Sequence, residues 1–109
     1  MSRYFPEDSE CGHHTVFGST KIRTFAGEHL QLSLVDVEPH GVVDWHSHPN
    51  EQTGLVIAGH ATFSIGEESK LLGPGDFFFI PGGMLHRVVA NDEPMQALDA
   101  FYPIRDEYR

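Results

Sequence analysis

The sequence predicts an all-β protein. Three observations carry that expectation: short strand-like apolar runs, turn residues at regular spacing, and no sustained 3.6-residue periodicity. Apolar residues alternate in Leu30-Gln31-Leu32-Ser33-Leu34, while Thr53-Gly54-Leu55-Val56-Ile57 and Ala61-Thr62-Phe63-Ser64-Ile65 are runs of strand length. Glu38-Pro39-His40-Gly41, Gly66-Glu67-Glu68, Gly73-Pro74-Gly75-Asp76 and Pro81-Gly82-Gly83 interrupt the pattern at intervals that suit a sandwich or small barrel. Phe77-Phe78-Phe79-Ile80 lacks alternation, which fits a strand buried on both faces or half of a buried helix. Its short length and its Gly/Pro brackets favour the strand.

At 109 residues the chain has room for one domain, spanning 1–109, that buries roughly two-thirds of the surface its unfolded form exposes. Seven Lys+Arg against 16 Asp+Glu give a formal charge of -9, so attraction to nucleic acid phosphates or to an anionic membrane is not expected. An anionic ligand would need a local positive centre. Cys11 is the sole cysteine, which excludes an intramolecular disulfide and a cysteine-rich zinc site and fits a reducing compartment. The opening residues contain no apolar segment of signal-peptide length, and no stretch approaches a membrane span. The expected location is cytoplasmic. No internal repeat, low-complexity segment or linker divides the sequence.

His46 and His48 stand two apart in the segment Val42-Val43-Asp44-Trp45-His46-Ser47-His48. If that segment is extended, both imidazoles project from one face and can converge on one ion. Chance pairs are common in a chain with eight histidines, so the spacing alone is weak. His13, His14, His29, His40 and His60 have no comparable partners and read as surface or turn residues, although His60 follows Gly59 closely enough for a pocket role.

Two spaced motifs raise the signal, because they resemble the cupin superfamily, whose patterns are G-x5-H-x-H-x3-4-E-x6-G and G-x5-P-x-G-x2-H-x3-N. From His48, Pro49, Asn50 and Glu51 lead to Gln52, and six further residues lead to Gly59. Gln thus occupies the Glu slot, and Gly41 lies one residue closer to His46 than the pattern asks. The second motif runs from Gly75 through Pro81-Gly82-Gly83 to His86, with only its terminal residue, Asn91, one position late. The resemblance implies a double-stranded β-helix, the jelly-roll barrel, with His46, His48, Gln52 and His86 as ligands of one divalent transition metal ion in its mouth. Neutral imidazoles and an amide oxygen suit nickel, iron, manganese, zinc or cobalt. Glu51 competes for the fourth place, but it has the opposite parity to His48, a modest argument because Pro49 interrupts the strand.

Gln in place of Glu has a consequence. Three His and one Gln are a neutral set, so a divalent ion keeps its full charge, whereas a Glu ligand would cancel one unit. One unit of charge about 4 Å from a substrate carboxylate is worth on the order of 4 kcal/mol at an effective dielectric of about 20. An anionic substrate is therefore expected.

Near the end of the chain, residues 97–102 place Asp99 and Phe101 on one face if extended, with Leu98, Ala100 and Tyr102 on the other. Pro103 ends the strand and allows Arg105 to fold back. From the residues alone this is equally a last strand with a satisfied Asp and a solvated tail. The run His-Ser-His-Pro-x-Glu-Gln, the segment Ile-Pro-x-x-x-x-His and the ending Asp-x-Phe-x-Pro-x-Arg-x-x-Tyr together resemble the bacterial pectin-degradation cupins of the KdgF type. Asn50 stands where that type more often has His.

That resemblance implies a metal-dependent enzyme that linearises 4,5-unsaturated uronate monosaccharides, released in pectin or alginate breakdown, to 5-keto-4-deoxyuronate. It makes Asp99, Phe101 and Arg105 the substrate-facing group: Asp99 a proton shuttle, Arg105 an anion clamp, and Phe101 an apolar wall. The implied partner is a small anionic sugar. A homodimer is also implied, with residues 13–25 able to offer an edge strand to a neighbour. The competing readings are a cupin dioxygenase, with a redox-active iron or copper in the same ligand set, and a non-catalytic sugar-binding or regulatory cupin.

Overall fold

The structure, a computed structural model, describes residues 4–109. Ten strands lie among them: β1 (Gly12–Val16), β2 (Thr20–Ala26), β3 (Gln31–Val37), β4 (Val42–His46), β5 (Glu51–Ala58), β6 (Ala61–Ile65), β7 (Glu68–Leu72), β8 (Phe77–Ile80), β9 (His86–Ala90) and β10 (Met95–Tyr102). They form two antiparallel sheets, one of six strands in the order β1-β2-β3-β10-β5-β8 and one of four in the order β4-β9-β6-β7. The predicted all-β fold is observed. Among the described residues no helix is long and apolar enough to cross a membrane.

The sheets face each other across a core of Val37, Val56, Phe63, Ile80, Val88 and Met95, with Val35, Phe78, Ala90 and Ala97 beside them. Phe63 and Phe78 bridge the two sheets with ring centroids 4.6 Å apart. Removing such β-branched and aromatic side chains from water supplies the main drive for closing the sheets, about 1.5–3 kcal/mol for each large one.

Antiparallel pairing arranges the inward residues of the larger sheet in rows. Thr24 lies opposite Ser33, Ser33 opposite Asp99 and Asp99 opposite Gly54, which makes a polar row. One row nearer the mouth run Gln31, Phe101, Gln52 and Ile80. On the other side of the polar row stand Ile22, Val35, Ala97 and Val56. The polar inward residues of this sheet therefore sit on a hydrophobic floor.

Three details depart from the sequence reading. The alternation around residues 30–34 does mark a strand, but Leu32 and Leu34 point outward while Gln31 and Ser33 are buried. The polar members of the pattern line the interior because that interior is a pocket. The run from Phe77 to Ile80 is a strand but is not buried on both faces: β8 is a sheet edge, and Phe77 and Phe79 lie exposed on its outer side. Within residues 13–25 only β1 is an edge; β2 is paired on both sides.

Candidate metal centre

The histidines are brought together by the ends of two paired strands. His46 is the last residue of β4 and His86 the first of β9, and the two face each other across that pair. His48 comes from the following turn, where Pro49 prevents the strand from continuing. That turn is held against the turn before β9 by the Gly83 N–H, which donates to the His48 carbonyl at 2.8 Å. Gly82 is required there, because a Cβ at this position would overlap the Pro49 carbonyl. The glycines of the second motif thus act by bringing His86 beside His48. One ring nitrogen from each of His46, His48 and His86 lies within 4.8 Å of the others.

The remaining ring nitrogens fix how the three rings are presented. His46 Nδ1 faces the Asp44 carbonyl at 2.8 Å, His48 Nδ1 the Asn50 carbonyl at 3.1 Å, and His86 Nδ1 the Met84 carbonyl at 2.8 Å. A carbonyl only accepts, so each Nδ1 carries the proton and each Nε2 presents a lone pair. His86 Nε2 is buried with no protein partner. Burial holds His86 well below the usual imidazole range, down to about 4, and burial followed by the Arg105 charge lowers His48. Both rings are therefore kept neutral near pH 7, the form that binds a metal.

Gln52, the second residue of β5, is buried and turned inward, whereas Glu51 is exposed. The Gln52 Nε2 donates to Asp99 Oδ2 at 3.1 Å, which aims Oε1 at His48 Nε2, also 3.1 Å away. Since His48 carries its proton on Nδ1, these are two lone pairs facing each other. Mutual approach of two acceptors is unfavourable unless a cation lies between them. Two donors bound at about 2.1 Å to one ion and at right angles to each other lie about 3 Å apart. The donor set and its spacing thus fit a divalent transition metal.

Asp99 lies on β10 directly opposite Gly54 and Ser33. One carboxylate oxygen takes the Gln52 amide, and the other, Oδ1, is buried without a partner. Burial pushes its pKa up to about 7, partly opposed by the Gln52 hydrogen bond. Phe101 follows on the same face, its ring 5.6 Å from that of His48. Arg105 lies beyond Pro103, with its guanidinium 5.4 Å from the Phe101 ring and 4.7 Å from the Tyr108 ring. These groups line one cavity of about 320 Å³, a volume suited to a small molecule. The seven residues singled out in the sequence are thus gathered in one place.

Other residues of the site were not singled out in the sequence as site residues. Phe17, in the β1–β2 turn with φ of 52°, leans on His46 at 5.2 Å. Asn50 connects the metal side to the C-terminal segment: its carbonyl accepts the hydrogen bond from His48 Nδ1–H and its amide donates to the Pro103 carbonyl at 2.6 Å. Gln31, Thr24 and Ser33 line the cavity as the buried polar members of β2 and β3. Polar residues at the inward positions of an otherwise apolar sheet were the available signal. His60 is outside the cavity and pairs with Glu93 at 3.1 Å.

Fold and site together define the class. The cupin domain model matches residues 33–101, and the chain belongs to the cupin family. Among curated proteins it is 35% identical over 75 residues to the dimethylsulfoniopropionate lyase DddQ of Ruegeria pomeroyi, a match covering 68% of this chain and 37% of that protein. The chain thus spans less than two-thirds of the length of that relative. Among solved structures it resembles KdgF from Halomonas sp., with a TM-score of 0.84, 26% identity, and coverage of 97% of this chain and 98% of that one. An RmlC-like cupin from Shewanella frigidimarina shares the fold at a TM-score of 0.86 and 21% identity, over 99% and 97% of the two chains.

Proposed function

We propose that the protein is a metal-dependent enzyme that opens and ketonises 4,5-unsaturated uronate monosaccharides, giving 5-keto-4-deoxyuronate. The observation that carries this reading is Asp99: a carboxyl with one unpartnered, buried oxygen, attached through Gln52 to a neutral ligand set and accompanied in the same cavity by a cation, Arg105. Resemblance to the KdgF type, near full length in the Halomonas structure, supports the choice of substrate. His46, His48, Gln52 and His86 would hold the ion. When bound, it supplies a Lewis acid that stabilises negative charge developing on a substrate oxygen.

The reaction asks the chain to move protons and to hold the substrate. A proton must leave the anomeric hydroxyl as the bond from C1 to the ring oxygen breaks, and a proton must arrive at C4 as the C5 enolate becomes a ketone. Substrate and product are isomers, so no oxidant is needed. Asp99 takes the first proton and returns one at C4. Arg105 grips the carboxylate through its planar fork. Phe101 offers the sugar ring an apolar wall, and Gln52 holds the Asp99 carboxyl toward the ligand cluster.

The test is conversion in D2O with the metal-loaded protein. Asp99 delivering the proton from one side would place deuterium at C4 in a single configuration, and Asp99→Ala would keep its metal while losing most turnover. Deuterium in both configurations, or full turnover in Asp99→Ala, would remove Asp99 from the role.

A further inference from the structure

Gln31 is the first residue of β3 and lies one strand away from Phe101, in the row that also holds Gln52. Only 1% of its surface is exposed, an unusual burial for a long amide. All of its side-chain hydrogen bonds run to the C-terminal segment. Oε1 accepts the Arg105 N–H at 2.9 Å, while Nε2 donates to the Arg105 carbonyl at 3.3 Å and to the Tyr108 carbonyl at 3.0 Å. Partners of both kinds fix the amide's orientation, since the reverse placement would set donor against donor and acceptor against acceptor.

The segment after Pro103 is not a strand, and its backbone-to-backbone bonds are internal: Tyr108 N–H to the Arg105 carbonyl and Arg109 N–H to the Asp106 carbonyl. Side chains of the barrel hold it in place. Asn50 holds Pro103, the Thr24 hydroxyl donates to Tyr108, and Gln31 grips Arg105 on both sides of its Cα. Among the described residues, the Arg105 guanidinium has only an exposed carboxylate, Glu107 at 3.3 Å, and the faces of two rings. No buried acid among the described residues sets where this cation points. Its backbone does, and Gln31 sets the backbone.

We infer that Gln31 is a positioning residue for Arg105, so that substrate affinity depends on a buried amide that the substrate does not need to touch. The part concerning substrate rests on the uronate reading; the anchoring itself does not. A side chain that acts only through Arg105 must lose its effect once Arg105 is gone, whereas a general packing role would persist.

The experiment uses the metal-loaded protein and the variants Gln31→Leu, Arg105→Ala and their combination, each with metal content measured before kinetics. Gln31→Leu is expected to raise KM about tenfold, the size of one lost charge-assisted contact, and to change kcat little. Added to Arg105→Ala, it should change KM by less than about twofold. Effects that multiply in the double variant would overturn the proposal. Hydrogen exchange at the Arg105 amide supplies a readout without substrate: Gln31→Leu should accelerate it, and an unchanged rate would also overturn the proposal. Faster exchange in a protein that leaves the uronate untouched would uphold the anchoring and refute the uronate reading instead. Thr24→Val, which removes one bond to Tyr108, should act in the same direction with smaller size and serves if Gln31→Leu does not fold.

Discussion

Asp99 has one oxygen on the Gln52 amide and the other buried without a partner, and its pKa is raised from 3.8 to about 7. An acid whose folded pKa exceeds its unfolded value costs no stability below about pH 4. The cost grows as the pH rises toward 7, where the unfolded chain has ionised and the folded one has resisted, and it levels off above. Three pKa units correspond to a ceiling on the order of 4 kcal/mol. Asp99→Asn, which has the same shape and can still accept from Gln52, is therefore expected to stabilise the chelated protein more at pH 8 than at pH 5, while abolishing turnover. Thermal unfolding at the two pH values checks the first part; a stabilisation equal at both would contradict it. Gln52→Glu makes the opposite change at the neighbouring position. It adds a charge to the ligand set and sets a second carboxylate against Asp99, so metal should be held more tightly in chelator competition while KM for an anionic sugar rises.

Pairing of β5 with β10 puts Gly54 opposite Asp99, and a Cβ there would come within 2.6 Å of Asp99 Oδ1 and of Phe78 Cζ. Gly54→Ala is expected to displace the carboxyl and lower kcat by one or two orders of magnitude, with a smaller loss of metal affinity, because three of the four proposed ligands belong to β4, β9 and their turns and only Gln52 lies on β5. Equal turnover in Gly54→Ala and the parent would show that the position of the carboxyl is not set by this contact. The elements also explain what could be read from the sequence. His46, His48 and His86 were legible through two spaced motifs that resemble the cupin pattern, and Asp99, Phe101 and Arg105 through a C-terminal run that resembles the KdgF type; strand parity alone left Asp99 equally a satisfied strand residue. Gln31 was not legible, since its partners lie 74 and 77 positions away and leave no local pattern. The outward-facing Leu32 and Leu34 invert the usual meaning of alternation: the pocket makes the inside polar, and the outer side of the sheet carries the apolar residues.

At the scale of the molecule, a chain of charge -9 gathers Arg105 and a site for a divalent ion in one cavity. Across the outer face of the larger sheet, Phe25, Leu32, Ala100, Thr53 and Phe79 form one continuous row, with Arg23, Leu34, Leu98, Leu55 and Phe77 beside it. Neither row contains an acidic residue, so two copies that otherwise repel can meet there. We propose that a second copy covers this face, where Phe25, Leu32, Phe77 and Phe79 lie exposed together. Light scattering should give a dimer for the parent and a monomer for Phe77→Ser/Phe79→Ser; a monomeric parent would refute it.

The uronate reading is tested most directly by mixing the protein with the unsaturated monosaccharide released by a pectate or alginate lyase, without oxygen, and following the alkene absorbance. The metal-loaded protein should abolish that absorbance catalytically and the chelated protein should not, with activity returning when a divalent metal is restored. An absorbance that decays no faster with the loaded protein than without it, or that decays only when oxygen is admitted, would contradict the ring-opening function.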